Sequence, residues 1–278
     1  MFVPQQQLSI DEAISYKGRL SFLQYLPKKP KKWGMKAWAL ADSTLGYICN
    51  WKLYCGKEEE QGREPLGERV VVELLSGLEM KGYHVYFDNF YTSPTLCKRL
   101  FTLGFGSCGT VRLDRRGIPV TFKQATPNKG DITTYQDGNI LGLKWKDKRY
   151  VSVLSMLHDD SMVSKQRHTR QATGGVEIVQ KPAVIEDYNR YMGVDKSDRL
   201  VTYYGFRRSK KWWKRAFFHL IELAIVNAYA LYCYNTPKKE RLTHLGFRLA
   251  VATSLLGIAQ PIPAPQYLPS PAAANVPL

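Results

Sequence analysis

Acidic residues are scarce in this 278-residue chain: 24 Asp and Glu stand against 40 Lys and Arg, a net charge of +16. Such a balance serves either general solubility or a polyanionic partner, and nucleic acid is the expected one. Cysteine is sparse and odd in number, at positions 49, 55, 97, 108 and 233. No two have C-x-x-C spacing, so neither a disulfide framework nor a zinc knuckle is signalled, and most are expected to be small buried residues in a reducing compartment. The opening MFVPQQQLSIDEA has no basic stretch leading into an apolar one, so no secretory signal is expected. The longest apolar run, Ala216 to Tyr234, is broken by His219, Glu222 and Asn227. It reads as a buried core helix, with no membrane partner. There is no internal repeat and no phosphate-cradling P-loop, and no Ser-His-Asp or Cys-His arrangement emerges.

What remains is an apolar fraction of 44%, enough for a sizeable core. Residues 1–33 read as loop and short strand, with LSIDEA opening a turn. Met35–Ala41 and Tyr47–Tyr54 read as two strands joined by a turn at Ser43–Gly46. Val70, Val71, Leu74, Leu75 and Leu78 recur at helical spacing, which predicts a helix over 66–82 stopped by Gly82. A strand at 83–87 ends at Asp88. Ser93-Pro94 then supplies an N-cap and a first-turn proline for a helix that stops at Gly104. Cys108–Val111 reads as another strand. This order predicts an α/β fold, a mixed sheet flanked by helices. Residues 112–180 are polar, with β-type runs at Ile132–Tyr135, Ile140–Trp145 and Tyr150–Leu157, and predict an antiparallel insertion with a mobile tail, SKQRHTRQATGG. Helical pattern returns over about 183–203 and again from Arg207 to Asn235, with a short helix at 242–255. The boundaries are therefore 1–111 for the first part of the core, 112–180 for the β-rich insertion, 181–258 for the C-terminal helices and 259–278 for an unfolded Pro/Ala-rich tail.

Four aspartates stand in three settings: Asp42 in ALADSTLGY, Asp88 in VYFDNFYTSP, and Asp195 with Asp198 in YMGVDKSDRL. Carboxylates brought together by two strand ends and a helix suit two Mg²⁺ ions, hard cations that take oxygen ligands. Such a pair activates a water or a 3′-hydroxyl and stabilises a leaving oxygen. Each aspartate also has a plain structural use. Asp42 before Ser43-Thr44 fits an Asx-turn, Asp88-Asn89 fits a strand end, and Asp195 and Asp198 fit surface ion pairs. Spacing alone leaves the two uses evenly matched. His158-Asp159-Asp160 reads as a turn, and His84 and His219 as satisfied core residues.

Two basic clusters carry interleaved aromatics. Lys17–Lys36 holds seven Lys and Arg and no acid, and Arg207–Arg215 holds six in nine residues. DNA contact is expected from Lys28, Lys29, Lys31 and Lys32, and from Arg207, Arg208, Lys210 and Lys211, through phosphates and stacked bases.

The segments LSIDEAISYKGRLSFLQYLPKKP, WGMKAWALADSTLGYI, PLGERVV, YFDNFYTSPTL, CGTVRLDRRGIP and DYNRYMGVDKSDRL, in this order, resemble the transposase domain of the piggyBac family. The resemblance implies an RNase H-like fold with a mainly β insertion before the last catalytic helix. It implies a DDD-type site using two Mg²⁺ ions, with Mn²⁺ as a substitute. It places the catalytic metal ligands at Asp42, Asp88 and Asp195, with Asp198 as a further catalytic acid. Cut-and-paste DNA transposition at transposon ends and TTAA targets follows, in the nucleus, with a homodimer among the possible assemblies. The family's N-terminal region and Cys-rich end-binding domain have no counterpart here, so autonomous transposition is not expected. A domesticated, non-catalytic DNA- or chromatin-binding protein, or a transposon remnant, stands beside the transposase reading.

Overall fold

The computed structural model describes residues 2–15, 24–25, 33–56, 64–168, 175–192, 200 and 211–258. Its first strand, β1 (Gln7–Ser15), is the segment expected to turn at LSIDEA. Leu8, Ser9 and Ile10 are fully buried, so β1 is a central strand covered on both faces. The Asp-Glu pair that suggested a turn lies inside the strand, held there by neighbours on either side. β3 (Trp33–Asp42) pairs with β1 antiparallel, Leu8 opposite Asp42 and Asp11 opposite Ala39. β5 (His84–Phe87) pairs with β1 parallel, from Gln7 opposite His84 to Ile10 opposite Phe87. A two-residue strand, β2 (Gln24–Tyr25), and β4 (Ile48–Leu53) both pair with β3. The expected turn between β3 and β4 is present, with Gly46 in the left-handed region.

β6 (Gly106–Thr110) continues the sheet parallel to β5. The path β4-β3-β1-β5-β6, antiparallel then parallel, is the RNase H-like arrangement. The 112–180 segment is β-rich and antiparallel as expected, but it does not form a sheet of its own. β7 (Ile132–Asp137), β8 (Ile140–Lys146) and β9 (Tyr150–Ser155) extend the same sheet, β9 joining it along β6. Only the ribbon of β10 (Met162–His168) and β11 (Val176–Pro182) stands apart. Ser164–His168, expected in a mobile tail, are paired in β10.

One face of the sheet carries α1 (Leu66–Leu74), α2 (Pro94–Thr102) and the short α3 (Val120–Gln124). Leu8, Ile10, Trp38 and Phe87 pack there against Val70, Val71, Leu74, Leu96 and Leu100. α1 stops eight residues before Gly82, because Gly77 already turns the chain at φ +85°. α2 is capped as the sequence indicates: Ser93 Oγ accepts the Leu96 N–H at 3.0 Å.

The opposite face carries α4 (Ala183–Tyr191) and α5 (Trp212–Asn235). α4 ends at Tyr191; residues 193–199 and 201–210 lie outside those described, as does the tail from 259. α5 sits on a row of small residues, Ala37, Ala39 and Ala41, through Leu223 and Val226. Asn227 fastens it by accepting the Ile48 N–H and donating to the Ile48 carbonyl.

α5 is long and apolar enough to cross a bilayer by length and composition, but its buried stripe holds His219 and Glu222. It packs into the core along one stripe, as the buried core helix expected, while Trp213, Phe217, Leu220 and Tyr234 on its other side are exposed. His219 is buried, yet neither ring nitrogen has a hydrogen-bond partner among the described residues, and burial pushes its pKa down to about 4. Glu222 instead receives both guanidinium nitrogens of Arg248 on α6 (His244–Leu255).

Candidate active site

Strand alternation decides which carboxylates share a face. On β1, Leu8 and Ile10 point to α1 and α2, so Ser9 and Asp11 point to α4 and α5. On β5, Val85 and Phe87 point to α1 and α2, while Tyr86 packs with α4, which puts the next even position, Asp88, on the α4 face. The register Ile10 to Phe87 makes Asp11 and Asp88 the next step of two neighbouring strands. Adjacent strands lie about 4.8 Å apart, so the two carboxylates occupy one patch, midway along β1 and just past the end of β5. Both residues are half-buried. Asp11 Oδ1 accepts the Glu12 N–H at 2.7 Å, and Asp88 Oδ1 accepts the Phe90 N–H at 2.8 Å. Their joint field reaches two tyrosines. Burial raises the Tyr188 pKa to about 12, with Asp88 and Asp11 adding to the rise. Burial raises Tyr91 as well, with Glu12, Asp11 and Asp88 adding.

Asp42 does not join this patch. It lies opposite Leu8, three residues before Asp11, which places it roughly 14 Å from Asp88 by strand spacing and rise. Alternation also points it to the opposite face. Its carboxylate is buried and fully engaged in a turn: Oδ2 accepts the Gln5 N–H at 2.7 Å, and Oδ1 accepts from Thr44 at 2.9 Å and Leu45 at 2.8 Å. Burial holds the nearby Cys49 thiol up at about 12, the Asp42 charge adding a smaller rise. The Asx-turn use of Asp42 is therefore the one observed, and the carboxylate beside Asp88 is that of Asp11, which the motif spacing does not single out. The signal for it was in the sequence: Leu8 and Ile10 alternate at strand period, with a charged pair directly after them.

The Asp88 turn is braced from three sides. Thr92 donates through Oγ1 to the Asp88 carbonyl at 2.8 Å. Arg115 donates to the carbonyls of Asn89 and Phe90. Ser93 Oγ donates to the buried Glu68 carboxylate at 2.6 Å, linking the turn to the start of α1. Two glycines allow the close approach. A Cβ on Gly109 would lie 2.4 Å from Thr92 Oγ1 and 2.7 Å from the Phe87 carbonyl, and one on Gly67 would lie 3.1 Å from the Phe90 carbonyl.

Asp195 and Asp198 lie outside the described residues, but the residues on either side of their segment are placed. Met192, which caps α4, packs with the cluster that holds Tyr86. Leu200 packs with Ala37, Ala39 and Ala41. Those two anchors sit over β5 and β3, on either side of β1. Among the described residues no group of three or more His, Cys, Asp and Glu forms a metal cluster. The donors present are two hard carboxylates, which suit Mg²⁺ or Mn²⁺ and not a softer ion. Of the expected DNA contacts, Lys28, Lys29, Lys31, Lys32, Arg207, Arg208 and Lys210 lie outside the described residues. Lys211 is exposed at the start of α5, followed by exposed Lys214. His219, two turns further on, lies by Trp51, which pairs with Ala39 opposite Asp11. The basic end of α5 therefore extends past the level of Asp11.

His158 forms a turn as expected, with Asp159 Oδ1 accepting the Ser161 N–H. A Ser-His-Asp chain nonetheless exists, which spacing did not reveal: Ser155 Oγ to His158 Nδ1 at 2.8 Å, and His158 Nε2 to Asp187 Oδ2 at 3.2 Å. Ser155 is buried, so this chain is a strut between β9 and α4, not an exposed nucleophile.

Residues 1–229 match the family model described as Transposase IS4. The chain is 32% identical over 272 residues to human PiggyBac transposable element-derived protein 3, covering 92% of this chain and 45% of that protein. It is 24% identical over 217 residues to human PiggyBac transposable element-derived protein 2, covering 73% and 36% respectively. A solved structure, the cryo-EM structure of the piggyBac transposase synaptic complex with hairpin DNA, matches with a TM-score of 0.78 at 28% identity, covering 91% of this chain and 52% of that one. The chain thus spans about half or less of the length of the relatives it matches.

Proposed function

Because this chain belongs to the piggyBac transposase family, we propose that it is a DNA nuclease and strand-transferase core in which Asp11 and Asp88 are the first two metal ligands. The observation that carries this reading is their position at the same step of neighbouring parallel strands, on one face. Asp195 is proposed as the third ligand, with Asp198 beside it. Met192 packs in the cluster that holds Tyr86, and Leu200 packs with Ala37, Ala39 and Ala41. Asp42 has no part in the chemistry and closes the β3–β4 turn.

Two divalent ions bound there, Mg²⁺ or Mn²⁺, would activate a water or 3′-hydroxyl and stabilise the leaving oxygen. The chain's own residues supply the rest. The backbone bonds to Oδ1 of Asp11 and Asp88 orient both carboxylates before any ligand arrives. Lys211 and Lys214, at the positive end of the α5 dipole, attract phosphates toward the same edge. The solved relative is a complex with hairpin DNA, which supports DNA as the substrate here. Transposon ends and TTAA-type targets are the proposed sites, and the nucleus the proposed compartment.

The test is nicking of a supercoiled plasmid by the purified chain with and without Mg²⁺ or Mn²⁺. Metal-dependent nicking by the wild type that disappears in Asp11→Asn and in Asp88→Asn is the expected result. DNA binding with no metal-dependent nicking above those variants would replace this reading with a non-catalytic DNA-binding protein.

A further inference from the structure

Beside the carboxylate patch, on the same face of the sheet, lies a cavity of about 810 Å³ bounded by β6, the β8–β9 hairpin, the β10–β11 ribbon and α4. Its floor is apolar, built from Trp145, Val151, Val153, Val179 and Ile185. Its rim is basic: Lys148, Arg149, Lys165, Arg167 and Lys181, against only Asp147 and Glu186. Lys165 and Lys181 both bind Glu186, and Arg167 binds Asp147, so the rim side chains are held in place and their balance is still positive. Lys148 and Arg149 are exposed at the hairpin turn.

One wall of the cavity is shared with the candidate site. The register Phe87 to Gly109 makes Thr110 the neighbour of Asp88 on the next strand, and Thr110 lines the cavity. Tyr188 lines it too, with its hydroxyl 3.4 Å from Thr110 Oγ1, and it lies in the field of Asp88 and Asp11. A volume of this order accommodates a small organic ligand. It excludes a base-paired duplex. An apolar floor suits the face of a base, and a basic rim suits the phosphates on either side of it.

We propose that this cavity receives an unpaired nucleotide of the DNA strand handled at Asp11 and Asp88, its base over the apolar floor and its phosphates on Lys148, Arg149 and Lys165. The inference rests on the nuclease reading for the identity of the polymer, and adds that the substrate is locally unpaired. An unpaired nucleotide arrives without the unstacking cost that a paired one has to meet, so the pocket favours ends, flaps and hairpin tips.

The experiment measures binding without divalent metal, by fluorescence anisotropy at low salt. One probe is a blunt 30-base-pair duplex, and the other is the same duplex with three unpaired nucleotides at one end and 2-aminopurine as the first of them. The expected result is affinity about tenfold higher for the unpaired probe, with a change in 2-aminopurine emission on binding. In Val179→Trp, which places an indole over the apolar floor where the base would lie, and in the double variant Lys148→Ser/Arg149→Ser, the ratio of the two affinities should fall toward one. Equal affinity of the wild type for both probes, or unchanged 2-aminopurine emission, overturns the pocket while leaving the nuclease reading standing. No binding of either probe overturns both. The emission readout on the wild type decides the matter even if a variant fails to fold.

Discussion

Asp42 is paired with Leu8, three residues upstream of Asp11 on the same strand, and this register keeps it three residues and two strands away from Asp88. Two aspartates that both follow apolar β-type runs thus have unrelated work. One closes a hairpin with three backbone N–H groups, and the other ends a strand beside Asp11.

Substitution should separate these roles. Asp11→Asn and Asp88→Asn should each lower metal-dependent nicking at least a hundredfold with little change in thermal stability. Asp42→Asn should do the reverse, because its amide would set a donor against a donor N–H. We expect a loss of about 1–3 kcal/mol in urea unfolding, with nicking per folded molecule retained.

Gly109→Ala should damage the site from behind. The new methyl meets Thr92 Oγ1 and the Phe87 carbonyl inside contact distance, so the Asp88 turn has to shift. About 1–3 kcal/mol of stability is the expected cost, with a fall in nicking of more than tenfold. Adding Thr92→Ala relieves only the side-chain clash, so recovery of stability should be partial.

Stability should depend on pH through His219. The unfolded imidazole takes up a proton near 6.5, but the buried one only near 4. Between those values the unfolded state holds the extra proton, so stability is full above 6.5 and is lost as pH falls toward 4. The total loss is about 3 kcal/mol. Urea unfolding of the wild type and His219→Phe at pH 7 and pH 4.5 checks this, and the variant should show a visibly smaller drop.

Arg248→Leu should leave the buried Glu222 carboxylate without its cation. The expected loss is about 3–5 kcal/mol, and Glu222→Leu in the same chain should restore most of it. Thermal unfolding of the two variants measures the difference.

Much of this was legible in the residues. The β3–β4 hairpin, the Ser93-Pro94 cap and the strand ending at Asp88 all carry local signals that the fold obeys. β1 does not. Asp11 and Glu12 are poor strand residues placed in the middle of a sheet, so local preference and global position disagree there, as they do at functional sites. That Asp11 and not Asp42 lies beside Asp88 follows from strand register, a property of pairs of segments that neither segment states alone. The Ser155–His158–Asp187 chain was hidden for the same reason, since Asp187 reaches it only because α4 folds back over β9. The exposed side of α5 was not legible because an apolar stretch implies burial somewhere, but not on every side.

Among the described strands, β1, an interior strand of the sheet, precedes all the others in the chain. β1 gains its β5 neighbour only after residue 87 is synthesised, and its outer face is covered only when α5 at 212–235 has emerged. At ordinary translation rates that wait is on the order of ten to forty seconds. A growing chain therefore carries both aspartates long before it carries a site. The proposed site is completed only after α5 has been made, well after both aspartates.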